Sequence, residues 1–217
     1  MTERITAGQF YAAAGVEDWR VVFAGACACF RTGSFSAGVA LVSAIGGLAD
    51  AANHHPDVDL RYASVAVRLT THDVGGLSER DVELARQISA AARGLGVPAD
   101  PSAVQTVQVT IDALVAAEVQ PFWRAVLGYR DEGPEDLVDP RGKGPSLWFQ
   151  QMDAPRPQRN RIHFDVKVPY GQARQRIEAA IAAGGRLTYD AEAPAFWVLA
   201  DPEGNQACVC TWAGRDG

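Results

Sequence analysis

The chain has 217 residues and a formal net charge of −6, a length that allows one large domain or two of about 100 residues. Its only lysines are Lys143 and Lys167, so it offers little to a phosphate backbone and nucleic acid is not expected as a partner. We recognise neither an apolar run of about 18 residues nor a signal peptide, which predicts a soluble cytoplasmic protein with no membrane partner.

The first hundred residues alternate between helical and strand-like patterns. Ser34 is suited to cap a long helix, and Ser78 and Asp81 have the spacing of a capping box, which predicts another helix from that point. This order predicts an α+β layer with helices on one face of a sheet. The predicted elements are a helix over 6–14, one or two strands over 19–30, a helix over 34–53, a strand over 62–71 and a helix over 78–92.

The segment 94–103 contains two glycines and two prolines, as a linker does. We therefore expect two domains, over residues 1–97 and 104–217. In the second half the order strand, helix, strand occurs twice, which predicts two similar β-α-β-β modules forming one sheet with a central cleft. The predicted elements are strands over 107–112, 146–152, 161–168, 196–199 and 207–211, a helix that carries Phe122 and Trp123 and ends at Gly128, and a helix over 172–183.

The four cysteines form two Cys-x-Cys pairs, Cys27 with Cys29 and Cys208 with Cys210, each within a strand-like run. Residues two apart on a strand share one face of a sheet. The favoured interpretation is small buried side chains in a reduced compartment; a metal or redox role is the alternative.

Three of the four histidines, His54, His55 and His72, lie between Asp50 and Asp81. Histidine moves protons near neutral pH. Removal of water across a carbon–nitrogen pair needs one group that protonates the departing hydroxyl and another that takes the N–H proton. The histidines fit that work, although a solvated helix end, a polar strand end and a helix cap at Asp81 are simpler explanations of the same residues.

The histidines belong to a longer pattern, Asp50-x3-His54-His55-Pro56-x5-Tyr62-x9-His72-x8-Asp81. This pattern resembles the signature of the pterin-4a-carbinolamine dehydratases, also called 4a-hydroxytetrahydrobiopterin dehydratases. Further similar stretches are 53–57, 70–73 and 76–81, together with Trp19, so the resemblance covers about residues 4–94. Asn53 departs from it, because an acidic residue often precedes the histidine pair in that family.

The resemblance implies a four-stranded antiparallel sheet with helices on one face, and dehydration of a 4a-hydroxytetrahydropterin to the quinonoid dihydropterin without a metal or bound coenzyme. It implies acid and base roles for His54 and His72, pterin binding by His55, and support from Asp81. It also implies a homodimer or higher oligomer that recycles the cofactor of aromatic amino acid hydroxylases. The expected substrate-binding residues are Trp19, Asn53, Pro56, Asp57, Tyr62, Thr71 and Asp73.

Residues 104–213 resemble the glyoxalase-like branch of the vicinal-oxygen-chelate superfamily, on the stretches 122–129, 161–166 and 199–205. The resemblance implies paired βαβββ modules, and catalytic members hold a divalent metal on cleft-facing strand positions. Strand alternation gives Gln108, Gln150, His163 and Cys208 as those positions. Only His163 is a convincing ligand, so we expect no metal and a ligand-binding or accessory role. Trp123, Trp148, Trp197 and Trp212 are candidates for the lining of an apolar pocket.

Two alternatives to the dehydratase interpretation stay open. The first domain can be a non-catalytic pterin-binding or dimerisation protein that uses the histidines for ligand contact alone. The second domain can carry metal-dependent lyase or dioxygenase chemistry, with the first domain as a passenger. Intact His54 and His72 favour catalysis over the first alternative, and the weak ligand set argues against the second.

Overall fold

The computed structural model describes residues 2–22, 25–155, 162–211 and 213–214. The chain forms two compact units that meet between Thr106 and Val107. The segment predicted as a linker is fastened to the first unit, because Arg31 N donates to Pro98 O at 2.9 Å and Asp100 N donates to Cys29 O at 2.7 Å. Trp212 and Arg161 lie outside the described residues.

The first unit is an antiparallel sheet with its long helices on one face, as the sequence predicts. The sheet order is β1-β2-β4-β3, and every adjacent pair is antiparallel. Alternate residues of the central strand β4, among them Val65 and Val67, are buried with Leu41 and Ile88 of the helices. The elements are α1 (Ala7–Ala12), β1 (Arg20–Val22), β2 (Gly25–Arg31), α2 (Phe35–Ala52), β3 (Asp57–Leu60), β4 (Ser64–Leu69) and α3 (Glu79–Gly94).

The two long helices begin at the predicted caps. Ser34 Oγ accepts from Ala37 N, and Ser78 and Asp81 form a reciprocal capping box at the start of α3. The sequence did not predict β3. That strand has only four residues and alternates between acidic and apolar side chains at the edge of the sheet, where one partner strand is enough to order it.

Helix α2 corrects one expectation from composition. Its 18 residues are long and apolar enough to cross a membrane by length and composition, and this helix alone passes that test within the described residues. Its inner face, with Gly38, Leu41, Ile45 and Ala49, is buried against the sheet and α3. A helix that contributes to a protein core passes the same test. The composition of α2 therefore does not by itself show that this helix lies in a membrane.

The second unit contains the two predicted modules. They form two four-stranded sheets within the described residues, with the orders β5-β8-β7-β6 and β10-β11-β12-β9, which corrects the expectation of one sheet. Three short strands, β6, β7 and β10, were not predicted, because they have three or four residues and β6 and β10 are exposed throughout. The elements are β5 (Gln108–Ala113), α4 (Ala116–Leu127), β6 (Arg130–Glu132), β7 (Asp136–Val138), β8 (Ser146–Gln151), β9 (Phe164–Lys167), α5 (Tyr170–Ala182), β10 (Arg186–Tyr189), β11 (Phe196–Ala200) and β12 (Gln206–Cys210).

Two acidic residues of the turn between β11 and β12 hydrogen-bond to α4 and to the residues before it. Buried Asp201 accepts from Trp123 Nε1 at 3.0 Å and from Asn205 N at 2.8 Å. The Glu203 carboxylate accepts from the backbone N–H groups of Leu114 and Val115 at 2.9 Å each, just before α4 begins. A carboxylate at this position accepts hydrogen bonds from backbone N–H groups that lack a partner within the helix. Its negative charge is stabilised by the positive end of the helix dipole.

Trp19 belongs to the core, which corrects its assignment as a substrate-binding residue. Its side chain is fully buried and lies edge-on to Phe30, with ring centroids 6.4 Å apart. Its Nε1 donates to Ser89 Oγ at 3.0 Å and Ala85 O at 3.2 Å. The indole therefore ties β1 to α3 and has no surface left for a ligand.

Replacing Trp19 with Phe removes the N–H donor and part of the ring volume. We expect the free energy of unfolding of the first unit to fall by about 1–3 kcal/mol, measured by urea denaturation followed by circular dichroism. Trp148→Phe is the matched control in the second unit. An unchanged midpoint for the first unit would show that the indole does not stabilise it.

Candidate active site

One buried carboxylate organises the candidate site of the first unit. Asp81 is fully buried, and its Oδ1 lies 2.8 Å from His54 Nε2. Its Oδ2 accepts from Ser78 N at 2.7 Å and from Thr71 Oγ1 at 2.6 Å. Asp81, expected as a helix cap and as support for the histidines, contacts both the helix start and His54, because its two oxygens bind different groups.

The end of α2 points the adjacent histidines in different directions. Asn53 has a left-handed backbone with φ of 46°, a conformation that asparagine adopts more readily than most residues, and His54 N then bonds back to Ala49 O at 3.1 Å. His54 is 6% exposed. His55 is exposed, and its Nε2 lies 3.1 Å from Asp50 Oδ1.

His72 reaches the same neighbourhood through the residue before it. Thr71 is buried and bonded to Asp81, and His72 follows it, exposed, at the start of a short 3-10 helix, His72–Val74. The Asp81 carboxylate therefore binds the side chain of the residue before His72 as well as the ring of His54. His54 and Thr71 each hydrogen-bond to Asp81. His72 is connected to this group as the residue that follows Thr71 in the chain.

The contact with Asp81 constrains the tautomer of His54. Where the carboxylate oxygen is the acceptor, the proton lies on His54 Nε2, 2.8 Å away. Nδ1 is then the ring atom that can exchange a proton with a bound molecule.

Arg80 connects the two histidine-bearing segments, and sequence reasoning missed it. Its guanidinium donates to Asn53 O and lies 3.8 Å from Asp73 Oδ2. Asn53 directly precedes His54, and Asp73 directly follows His72. No pattern in the sequence marks this arginine, because its partners come from the end of a helix and from a turn after a strand.

The remaining expected substrate-binding residues differ in how exposed they are. Asn53, Asp57 and Asp73 are exposed and Pro56 is half-buried, each next to a histidine or within two residues of one. Thr71 is a correction, because it is 1% exposed and its hydroxyl donates to Asp81.

Tyr62 is a third correction, after Trp19 and Thr71. It is 74% exposed in the turn between β3 and β4. Asp57, near the histidines, starts β3, and Leu60 pairs with Val65 at the other end of the hairpin. Three strand steps are about 10 Å, so the hairpin separates Tyr62 from the histidines of its own chain.

Comparisons with known proteins identify the family of the first unit. Residues 3–91 match the family model described as pterin 4 alpha carbinolamine dehydratase. A relative from Chloroflexus aurantiacus, provisionally named a pterin-4-alpha-carbinolamine dehydratase, is 46% identical over 71 residues, which are 33% of this chain and 76% of the relative. A similarly named relative from Chloroflexus aggregans is 52% identical over 59 residues, 27% of this chain and 63% of the relative. The chain belongs to the pterin-4-alpha-carbinolamine dehydratase family through its first unit.

The second unit has its own match, since residues 108–210 fit the model described as a glyoxalase-like domain. Two solved structures resemble the separate units. A transcriptional coactivator/pterin dehydratase from Brucella melitensis has 27% identity and a TM-score of 0.40, over 42% of this chain and 99% of that chain. A glyoxalase-related enzyme from Fulvimarina pelagi has 18% identity and a TM-score of 0.39, over 49% of this chain and 87% of that chain.

The four expected cleft positions of the second unit differ in their surroundings. Gln108 Nε2 donates to Asp136 Oδ1 at 2.9 Å, and Gln150 is exposed on β8. His163 and Cys208 do lie together, with Asp165 as the third member of the group. Asp165 stands two residues after His163, but His163 precedes β9, so strand alternation alone does not bring the two together.

Cys208 is a protonated thiol in this environment. Burial is the largest cause that raises the pKa of Cys208 to about 11, and the nearby Asp165 carboxylate and Cys210 add to it. A nucleophilic cysteine needs a lowered pKa. Cys208 is therefore not a nucleophile as it stands, although a metal ion can displace its proton.

A cavity of about 280 Å³ lies beside β5 and the start of β9. Trp123 and Phe164 form part of its apolar lining, with Asp112, Asn205 and Gln206 as polar members. Of the tryptophans expected at a pocket, Trp123 is among the lining residues, while Trp148 and Trp197 are half-buried elsewhere in the unit.

Replacing Asp81 with Asn leaves one acceptor oxygen where the carboxylate has two. That oxygen cannot serve both His54 and the Ser78–Thr71 side, so we expect the free energy of unfolding of the first unit to fall by about 1.5–3 kcal/mol. Urea denaturation measures the loss. Glu83→Gln, an exposed carboxylate on the same helix, is the control, and equal losses for both variants would contradict the role assigned to Asp81.

Proposed function

We propose that the first unit dehydrates a 4a-hydroxytetrahydropterin to the quinonoid dihydropterin. The observation that carries the proposal is the contact of His54 with buried Asp81, next to the exposed His55 and His72, in a chain of this family. A buried Asp–His pair beside two accessible imidazoles supplies groups for moving protons near neutral pH.

The reaction breaks the C4a–O bond and removes the N5–H proton, so that a C4a=N5 double bond and one water form. In the proposal, His54 accepts the N5 proton at Nδ1, because Asp81 holds its Nε2. His72, exposed to solvent, protonates the departing hydroxyl. His55 binds and orients the pterin, with Asn53, Pro56, Asp57 and Asp73 around it. No metal or coenzyme takes part in these steps.

The second unit is proposed to bind a small ligand or to serve the first unit as an accessory domain. The cavity beside Trp123 and Phe164 supports the binding role, because apolar walls with a few polar groups are typical of small-molecule sites. We also place the protein, as proposals, in the cytoplasm, as a homo-oligomer, and in the recycling of the pterin cofactor of aromatic amino acid hydroxylases.

The test follows the dehydration of a 4a-hydroxytetrahydropterin by the full chain. We expect His54→Ala and His72→Ala each to lower kcat by about 100-fold or more, because general acid–base catalysis contributes about 10²–10⁴-fold. Arg61→Ala, an exposed change in the turn at the other end of the β3–β4 hairpin, is the control.

Three results would count against the proposal in different ways. A wild-type rate equal to the uncatalysed rate rejects the enzyme. Pterin binding by a wild type without such catalysis supports the non-catalytic alternative. A loss confined to KM in the histidine variants assigns those residues to binding alone.

Arg80 offers a separate test of positioning. Without its guanidinium the segments that carry His54 and His72 lose their shared contact, so we expect Arg80→Ala to lower kcat about 10-fold with KM little changed, since small misplacements of acid–base groups are costly. Arg86→Ala, the same substitution two turns along α3, is the control. Steady-state kinetics decides, and restored activity in Arg80→Lys would support positioning by charge.

A further inference from the structure

The face of the first sheet that lies away from the helices carries a half-buried arginine. Val65, Val67 and Leu69 of β4 are buried with the helices, so Arg68 and Thr70 belong to the opposite face. Arg68 is half-buried, and its side chain forms no hydrogen bond or ion pair with any residue that the structure describes. A guanidinium that loses contact with water and gains no acceptor is costly, which points to a partner from outside the chain.

The side chain of Arg68 lies across β2 at the end of the sheet next to the candidate active site. A Cβ atom at Gly25 of β2 would be 3.0 Å from Arg68 Nε and 2.8 Å from Thr70 Oγ1, so the glycine leaves the room that the arginine uses. Thr70 is followed by Thr71 and then by the exposed His72. The arginine therefore lies at the end of β4 from which the histidine-bearing turn begins.

A carboxylate lies beside Arg68 on the same face of the sheet. Asp57 of β3 pairs directly with Arg68, and Cys27 of β2 pairs with Arg68 on the other side. Burial is the largest cause that raises the pKa of Cys27, the Arg68 charge opposes that rise, and the Asp57 charge adds to it. Asp57 is exposed and forms no ion pair with Arg68. The carboxylate and the guanidinium are therefore neighbours that do not neutralise each other.

Such a pair of side chains is complementary to one edge of a pterin ring. That edge presents two donors, the 2-amino group and N3–H, beside one acceptor, the 4-oxo oxygen. A carboxylate only accepts hydrogen bonds and a guanidinium only donates them, and the charge on each side chain strengthens the bonds that it makes. Because C4 is bonded to C4a, a ring held by this edge is also held next to its reacting carbon.

We propose that Arg68 determines specificity for the pterin ring, because its guanidinium donates to the 4-oxo oxygen while Asp57 accepts from N3–H and the 2-amino group. This inference rests on the pterin substrate proposed for the first unit. It assigns the two residues that select and orient the ring, and neither of them moves a proton. Sequence reasoning named Asp57 as a substrate-binding residue and did not mark Arg68.

The test compares the binding of 7,8-dihydropterin and its 2,4-diamino counterpart to the full chain, by titration calorimetry at a pH where both ligands are neutral. The 4-amino group replaces the acceptor with a donor and makes N3 an acceptor, so this analogue opposes both side chains. We expect the wild type to bind the 4-oxo ligand at least about 10-fold more tightly, since hydrogen bonds to charged groups are strong. Arg68→Ala and Asp57→Ala should each reduce this preference to about 3-fold or less.

Each variant has a matched control on the same face of the sheet. Arg31→Ala changes an arginine at the other end of β2, and Asp59→Ala changes a carboxylate two residues along β3. Both controls should keep the wild-type preference, and circular dichroism establishes that every variant is folded. In the dehydration assay Arg68→Ala should raise KM about 10-fold with kcat little changed, as expected for the loss of a contact made equally to substrate and transition state.

The outcomes distinguish this ring contact from the dehydratase activity. A wild type that catalyses dehydration but binds both ligands equally overturns the ring contact and leaves the activity in place. A preference that is lost in Arg68→Ala supports the ring contact even where the dehydration rate equals the uncatalysed rate. A preference that survives in Arg68→Ala, or that Arg31→Ala removes equally, overturns the ring contact, and so does a wild type that binds neither ligand.

Discussion

The Asp81 carboxylate is the constraint on which the first unit depends. A carboxylate removed from water is costly unless hydrogen bonds satisfy its oxygens. Asp81 meets that requirement with the start of α3, the hydroxyl of Thr71 and the ring of His54. The same carboxylate thus caps α3 through one oxygen and holds the ring of His54 through the other.

The two adjacent histidines acquire different properties from one backbone feature. The left-handed turn at Asn53 sends His54 inward to Asp81 and leaves His55 at the surface. A buried, bonded imidazole has a fixed tautomer and orientation, whereas an exposed one is free to adapt to a ligand. This division of environment supports the division of roles proposed for His54 and His55.

In the second unit, too, a buried carboxylate has a structural role. That residue is Asp201, whereas Asp165 is exposed. Asp201 orders the turn before β12, and Glu203 binds the backbone N–H groups of Leu114 and Val115 just before α4. The register of β9 with β12 brings Asp165 opposite Cys208, and His163 completes the group. Strand register, which a change of one residue would invert, therefore decides whether these three donors meet.

The sequence by itself determined the elements whose signals are local. The caps at Ser34 and Ser78, the end of α4 at Gly128 and the two strand–helix–strand orders follow from chemistry within a few residues. The sequence did not predict the short strands β3, β6, β7 and β10. Three or four residues are too few to show an alternating pattern, and these strands are ordered by pairing with partner strands. Tertiary structure alone decided that Asp81 serves cap and histidine together, that Arg80 spans Asn53 and Asp73, that Trp19 and Thr71 are buried, and that Asp165 joins His163 and Cys208. Each of these depends on contacts between segments far apart in the chain, and such contacts are set by packing and strand register rather than by local spacing.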